Sequence, residues 1–161
     1  MAKNFTTLPK VISKANKDIS TIIENDIAKE SVLLKDLVDQ VLKLMTKKGI
    51  SIDGANILIM GLTFKENCPD FRNSKVFDII HQLKKEGADV AAFDPYANAM
   101  EVFQKYQVQL ITAFEQYDVI LLAVAHDFFK ALDYASLKTS PAAIVYDTKA
   151  FLDRSIVTAR L

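Results

Sequence analysis

Ala55-Asn56-Ile57-Leu58-Ile59-Met60-Gly61-Leu62-Thr63-Phe64-Lys65-Glu66-Asn67-Cys68-Pro69-Asp70-Phe71-Arg72-Asn73-Ser74 carries an apolar run into a polar loop, and the loop into a second apolar pattern. The first six residues read as a buried parallel strand, because they are nearly continuously apolar and short. Beyond the loop, Val76, Ile80 and Leu83 recur at helical spacing, with Phe77 and Ile79 widening the face. A strand leading into a helix through a loop with two cations, Lys65 and Arg72, is the junction where an α/β sheet receives an anionic ligand.

Working outward, residues 55–161 alternate between the two periods. Strands are expected near 56–60, 89–93, 108–111, 118–125 and 143–146. Helices are expected near 74–86 and 97–106, with a short one near 133–138. Gly87 closes the first of these helices, and Asp94-Pro95 is a turn signal ending the second strand. Such alternation calls for a doubly wound parallel sheet of about five strands with right-handed crossovers, in the spatial order 3-2-1-4-5. In that order the first and fourth strands are neighbours. Their carboxyl ends bring Gly61 to Lys65 beside Ala125 and His126, and that crevice is the expected site.

Towards the N-terminus, Pro9 to Lys48 contains no glycine and no further proline. Ile12, Ile19, Ile23 and Ile27, then Leu34, Val38, Val41 and Met45, recur at helical intervals, which gives one or two helices. Gly49 is placed as the C-terminal stop after Lys47 and Lys48. The chain therefore divides into a helical segment, residues 1–50, and an α/β domain, residues 51–161. Leu33, Leu37, Val41 and Leu44 form one apolar row on the helix, and Leu34, Val38, Leu42 and Met45 another. That is more than one stripe, so a homodimer through this segment is expected; the alternative is that residues 9–30 fold back and cover the row.

The bulk numbers exclude several classes. Twenty basic residues balance twenty acidic ones in 161, so no global field gathers a polyanion, and nucleic acid is not an expected partner. One cysteine excludes an intramolecular disulfide framework. No apolar stretch is long enough to span a bilayer, and Met1 to Thr7 lacks the apolar core of a signal peptide, so a cytoplasmic location is expected.

The four glycines, Gly49, Gly54, Gly61 and Gly87, cannot assemble a Gly-x-Gly-x-x-Gly turn or a P-loop anywhere. Complete, autonomous dinucleotide binding is disfavoured. Asp94 ends the second strand as a ribose-binding acid would, but without the glycine turn it is read as a turn or cap residue. Asp70 either orients Arg72 or serves the turn beside Pro69. His126 is read equally as hydrogen-bonded scaffold or ligand contact, and His81 as a helix flank. Neither has partners for a metal site.

The stretch Gly61 to Ile80 closely resembles the opening of the C-terminal domain of the UDP-glucose/GDP-mannose 6-dehydrogenase family, and its Phe-Lys-Glu-Asn-Cys-Pro-Asp wording is most similar to the branch acting on UDP-N-acetylhexosamines. The resemblance continues through Tyr117 to His126 and Val145 to Lys149, covering roughly residues 36–161, and the recognised wording does not extend into the first ~35 residues. It implies a Rossmann-like, UDP-sugar-binding domain of an enzyme that oxidises a sugar C6 hydroxyl to a carboxylate with NAD, feeding capsule or related polysaccharide synthesis. Phe64 and Lys65 then match substrate contacts and Arg72 a contact to NAD. Lys149 stands where many relatives have the arginine of Asp-Gly-Arg, keeping the charge without the bidentate geometry. Cys68 does not match the family's catalytic cysteine, which lies in a Cys-x-Pro-x-Asp-Pro context absent here, and no activating group neighbours it in sequence. No catalytic residue is assigned. By itself the chain is expected to be inactive: a truncated enzyme, an excised domain or a remnant. The rival expectation is a noncatalytic nucleotide-binding or interaction module derived from that family.

Overall fold

The structure, a computed structural model, describes the backbone from residue 8 to 161 and side chains from Lys17 onward, apart from Ile23, Ile27 and Glu30. The described residues divide into two units between Asp36 and Leu37. The sequence left one helix or two open; there is one, α1 (Leu8–Lys47). Ile19, Ile22, Val32 and Leu33 on it are exposed. In the fold-back alternative Ile12, Ile19, Ile23 and Ile27 would supply the cover; of these Ile19 is exposed, and the side chains of the other three lie outside the described residues.

Gly49 ends α1 with φ +72°. Its N–H donates to Thr46 O at 3.1 Å and the Ile50 N–H to Met45 O at 2.9 Å. This nested pair satisfies two terminal carbonyls and needs a left-handed residue, which glycine supplies without strain.

In the second unit a single sheet has the order β2-β1-β3-β4-β5, all parallel. The strands are β1 (Asn56–Met60), β2 (Asp89–Phe93), β3 (Val119–Leu122), β4 (Ile144–Asp147) and β5 (Ala159–Arg160). Every residue of β3 and β4 is buried, as are Ile57 to Met60 of β1, which explains why these strands read as continuous apolar runs rather than alternating ones. Helices α2 (Val76–Lys85) and α3 (Ala99–Tyr106) connect β1 to β2 and lead on towards β3. Phe77 of α2 and Tyr106 of α3 stack with ring centroids 3.7 Å apart and planes 5° from parallel. Leu37, Val38, Val41 and Met45 are buried, and the Tyr146 hydroxyl of β4 donates to Gln40 Oε1 at 2.6 Å. The last turns of α1 therefore belong to the α/β core.

The expected order of strands is the observed one, with three local corrections. The expected third strand, 108–111, is reduced to a single parallel bridge between Leu110 and Ala92, which keeps its place outside β2. The expected helix at 133–138 is a series of turns, and a 3-10 helix at Asp127–Ala131 lies ahead of it. Asp133 Oδ1 accepts the Ala135 N–H, and Ser136 Oγ donates to Asp133 O; these local bonds give the backbone an alternative to helix. The two-residue β5 was not anticipated, being too short to show a period. It pairs with Tyr146 and Asp147.

Candidate nucleotide-binding edge

Order 2-1-3-4 places the turns after β1, β2, β3 and β4 along one carboxyl edge. The turn after β1 starts at Gly61, which has φ +87° and lies so close to the turn after β3 that an added Cβ would sit 2.5 Å from Val124 Cβ. The Ala123 N–H donates to Met60 O at 2.9 Å and fastens the two ends there. Only glycine fits such an approach at such a φ.

From this point a buried polar knot builds the turn. Asp94, at the end of β2, accepts the N–H groups of Leu62 (2.6 Å) and Thr63 (3.2 Å) on Oδ2. Its Oδ1 accepts those of Tyr96 (2.8 Å) and Ala97 (3.0 Å). His126 Nε2 lies 2.9 Å from the same Oδ2 and 3.1 Å from Thr63 Oγ1, while its Nδ1 accepts the Asn67 N–H at 2.8 Å. Burial pushes the Asp94 carboxyl up. The hydrogen bonds from His126, Leu62 and Tyr96 oppose this, and the net result lies below the usual carboxylate value. A carboxylate so engaged is a structural anchor, in line with the turn or cap reading, and His126 is scaffold at full burial.

The knot shapes a loop whose tip faces outward. Phe64 is 71% exposed and Lys65 is exposed, and among the described residues no carboxylate pairs with Lys65. The Phe64 N–H donates to Asp70 O at 2.8 Å, closing the loop on itself. Asn67 adopts φ +53°, and its side chain exchanges two bonds with Asp127, Nδ2 to Oδ2 and Oδ1 from N–H, each at 3.0 Å. Asp70 holds Arg72 in a fork, Nε to Oδ1 at 2.9 Å and a terminal nitrogen to Oδ2 at 2.7 Å. Those bonds lower the Asp70 pKa to about 2. Of the two roles open to Asp70, orienting Arg72 is the one the geometry displays; both side chains remain solvent-accessible.

Lys149 follows β4 on the same edge. It is exposed, and its N–H donates to the buried Asp147 Oδ1 at 3.0 Å. Asp147 Oδ2 also accepts the N–H groups of Phe151 and Leu152 and lies 3.7 Å from Arg160 Nε, so β5 braces this turn. Two strand steps separate the turns of Lys65 and Lys149, roughly 10 Å at about 4.8 Å per step. Phe64 and Lys65 share one turn, Lys149 lies on a second, and Arg72 lies further along the β1–α2 loop. Cys68 is partly exposed and unpaired. His81 Nε2 lies 3.2 Å from Tyr106 O at the flank of α2. Among the described residues no cluster of three or more potential ligands could hold a metal, and no helix is long and apolar enough to cross a membrane.

The family model described as "UDP-glucose/GDP-mannose dehydrogenase family, UDP binding domain" matches residues 58–154, from within β1 past the Lys149 turn. The chain belongs to this family. It is 40% identical over 129 residues to the UDP-N-acetyl-D-glucosamine 6-dehydrogenase of Pseudomonas aeruginosa, covering 78% of this chain and 31% of that protein. It is 38% identical to Protein CapL of Staphylococcus aureus over 125 residues, 75% of this chain and 29% of that one. Among solved structures, the UDP-N-acetyl-mannosamine dehydrogenase Cap5O from S. aureus superposes with a TM-score of 0.60 at 25% identity, covering 79% of this chain and 29% of Cap5O. An NDP-N-acetyl-D-galactosaminuronic acid dehydrogenase from Methanosarcina mazei shares the fold, with a TM-score of 0.66 at 16% identity, over 74% of this chain and 26% of that one. The chain thus spans about a third of the length of these relatives, and as a family member it represents the UDP-binding, Rossmann-like part.

Sequence reasoning found the exposed residues of this edge and missed how they are held. Asp94 and His126 were each visible as a polar residue ending a strand. Nothing in the sequence signalled that they meet, or that Asn67 joins them by its backbone.

Proposed function

We propose that the carboxyl edge of β1, β3 and β4 binds the diphosphate and sugar portion of a UDP-sugar, with Phe64 and Lys65 as contacts from one turn and Lys149 from the other. The observation that carries this reading is the pairing of an exposed, uncompensated Lys65 with a turn whose backbone is held by Asp94, Thr63 and His126. A cation on a preorganised turn at the edge of a parallel sheet suits a phosphate, and holding the turn before binding lowers the entropic cost. The names of the relatives support uridine as the base and an N-acetylhexosamine as the sugar.

As part of a protein that carries the remaining machinery, this unit would serve oxidation of the sugar C6 hydroxyl to a carboxylate with NAD, supplying precursors for capsule-type polysaccharides. NAD itself does not fit the β1 turn. The N–H groups of Leu62 and Thr63, which a dinucleotide fold would turn to a pyrophosphate, already donate to Asp94. Arg72 remains as a single cofactor contact, pre-aimed by Asp70. The filled turn favours binding without catalysis by the 161-residue chain. Titration calorimetry with UDP and UDP-N-acetylglucosamine tests the reading: saturable binding weakened by Lys65→Ala supports it, and no heat with either ligand overturns it.

A further inference from the structure

We propose that His126 is a positioning residue for nucleotide binding, holding the Thr63–Asn67 turn, in its neutral Nε2–H form, in the shape that presents Phe64 and Lys65. The proposal rests on the nucleotide reading above for its functional consequence, and on geometry alone for the turn.

The Asn67 backbone N–H can only donate, so His126 Nδ1, 2.8 Å away, is the acceptor and carries no proton. The ring proton is then on Nε2, where it faces Asp94 Oδ2 at 2.9 Å and Thr63 Oγ1 at 3.1 Å. Thr63 Oγ1 spends its own proton on Lys65 O at 2.9 Å, so it receives from the histidine. The imidazole thus grips the turn on both sides of the Phe64–Lys65 tip: at Thr63 and, through it, the Lys65 carbonyl, and at the Asn67 amide. Each bond is consistent with one tautomer, which is why a single group can organise the loop.

A proton on Nδ1 would face the Asn67 N–H donor to donor, so the Nε2–H tautomer is the one that makes this set of bonds. The groups around the ring are Asp94 from the end of β2, Thr63 and Asn67 from the β1 turn, the Tyr96 ring at 4.9 Å and the Phe129 ring at 5.5 Å. The neighbouring Asp127 directs its carboxylate to Asn67 Nδ2 and Lys130 Nζ. Asp94 is the charged group in contact with the ring, and it accepts from Nε2–H.

The test combines UDP calorimetry at neutral pH with amide hydrogen exchange at Asn67, in the wild type, His126→Phe and His126→Asn. The phenylalanine removes both ring nitrogens; the asparagine restores an acceptor near Nδ1. His126→Phe should bind about tenfold more weakly with faster exchange at Asn67. His126→Asn should recover most of both, a pattern a general packing role would not produce. Wild-type UDP binding or undiminished Asn67 protection in His126→Phe overturns the proposal, as does an asparagine variant no better than phenylalanine. Should His126→Phe not fold, nitrogen chemical shifts of wild-type His126 decide, since a proton on Nδ1 at neutral pH contradicts the geometry. Should the wild type bind no UDP, the nucleotide reading falls, while Asn67 exchange still supports or overturns the role in the turn.

Discussion

Asp94 Oδ2 and His126 Nε2 meet at 2.9 Å with both side chains sealed from solvent. Asp94 ends β2 and His126 follows β3, and these strands flank β1 on opposite sides. The contact therefore bridges over the end of β1, and the turn after β1 is shaped from both neighbours.

Asp94→Ala leaves four backbone N–H donors without their acceptor, and His126 Nε2–H with Thr63 Oγ1 alone, and should cost about 2–4 kcal/mol in urea denaturation at neutral pH. The sign of the pH effect follows from the lowered folded pKa. The unfolded chain binds its proton near pH 4, so the Asp94 contribution is complete above that value. It is lost as pH falls through the depressed folded value. Wild-type stability should drop on acidification below about pH 4, and Asp94→Asn should flatten that part of the curve.

Gly61→Ala should destabilise the second unit by about 3 kcal/mol or more. Its φ of +87° is strained for any side chain, and the new Cβ would lie 2.5 Å from Val124 Cβ and 2.8 Å from the Val124 backbone. Backbone atoms cannot rotate away. A thermal melt with an unchanged midpoint would contradict this account of the β1–β3 approach.

What was legible in the sequence was what repeats or what punctuates. β1 and β2 were located to the residue because apolar runs ended at Gly61 and at Asp94-Pro95. The order of strands followed from alternation and handedness. The sheet edges were not legible: the segment at 108–111 has strand-like composition, but a single bridge marks how briefly it touches β2, and β5 is two residues long. Lys65 and Lys149 could be placed on turns of one edge. The Asp94–His126–Asn67 knot joins three distant segments, and its third member acts through a backbone N–H, which no residue type encodes.

Lys65→Ala should weaken UDP binding by about 1.5–3 kcal/mol, on the order of ten- to a hundredfold. Lys149→Ala should cost less, because a lysine there cannot form the bidentate fork of an arginine. Equal UDP affinity in wild type and Lys65→Ala, by calorimetry, would remove Lys65 from the site.

The 161-residue chain should form no NADH from UDP-glucose or UDP-N-acetylhexosamines, and Cys68→Ser should leave UDP binding and stability unchanged. Cys68 sits partly exposed in the loop beyond Asn67, without the Cys-x-Pro-x-Asp-Pro context, and Asp94 occupies the amides of the β1 turn. Absorbance at the NADH band that rises with UDP-sugar and vanishes in Cys68→Ser would overturn both expectations together.

Self-association through α1 is a proposal that the structure lets one probe more cleanly than the sequence did. Leu37 is 6% exposed and belongs to the core of the second unit, so a charge there would test folding rather than assembly. Leu33 is 65% exposed and Ile22 60%. Their spacing of eleven residues is close to three helical turns, which puts both on one side of the helix with Ile19 nearby. Large apolar side chains repeating along one helix side gain most by burial against a second copy, and a two-fold pairing can bury the same row twice. We therefore expect a dimer at tens of micromolar in sedimentation equilibrium (order of magnitude), shifted to monomer by Leu33→Glu with an unchanged melting midpoint of the α/β unit. A wild type that stays monomeric at that concentration would refute the dimer, and a dimer indifferent to Leu33→Glu would place its interface elsewhere.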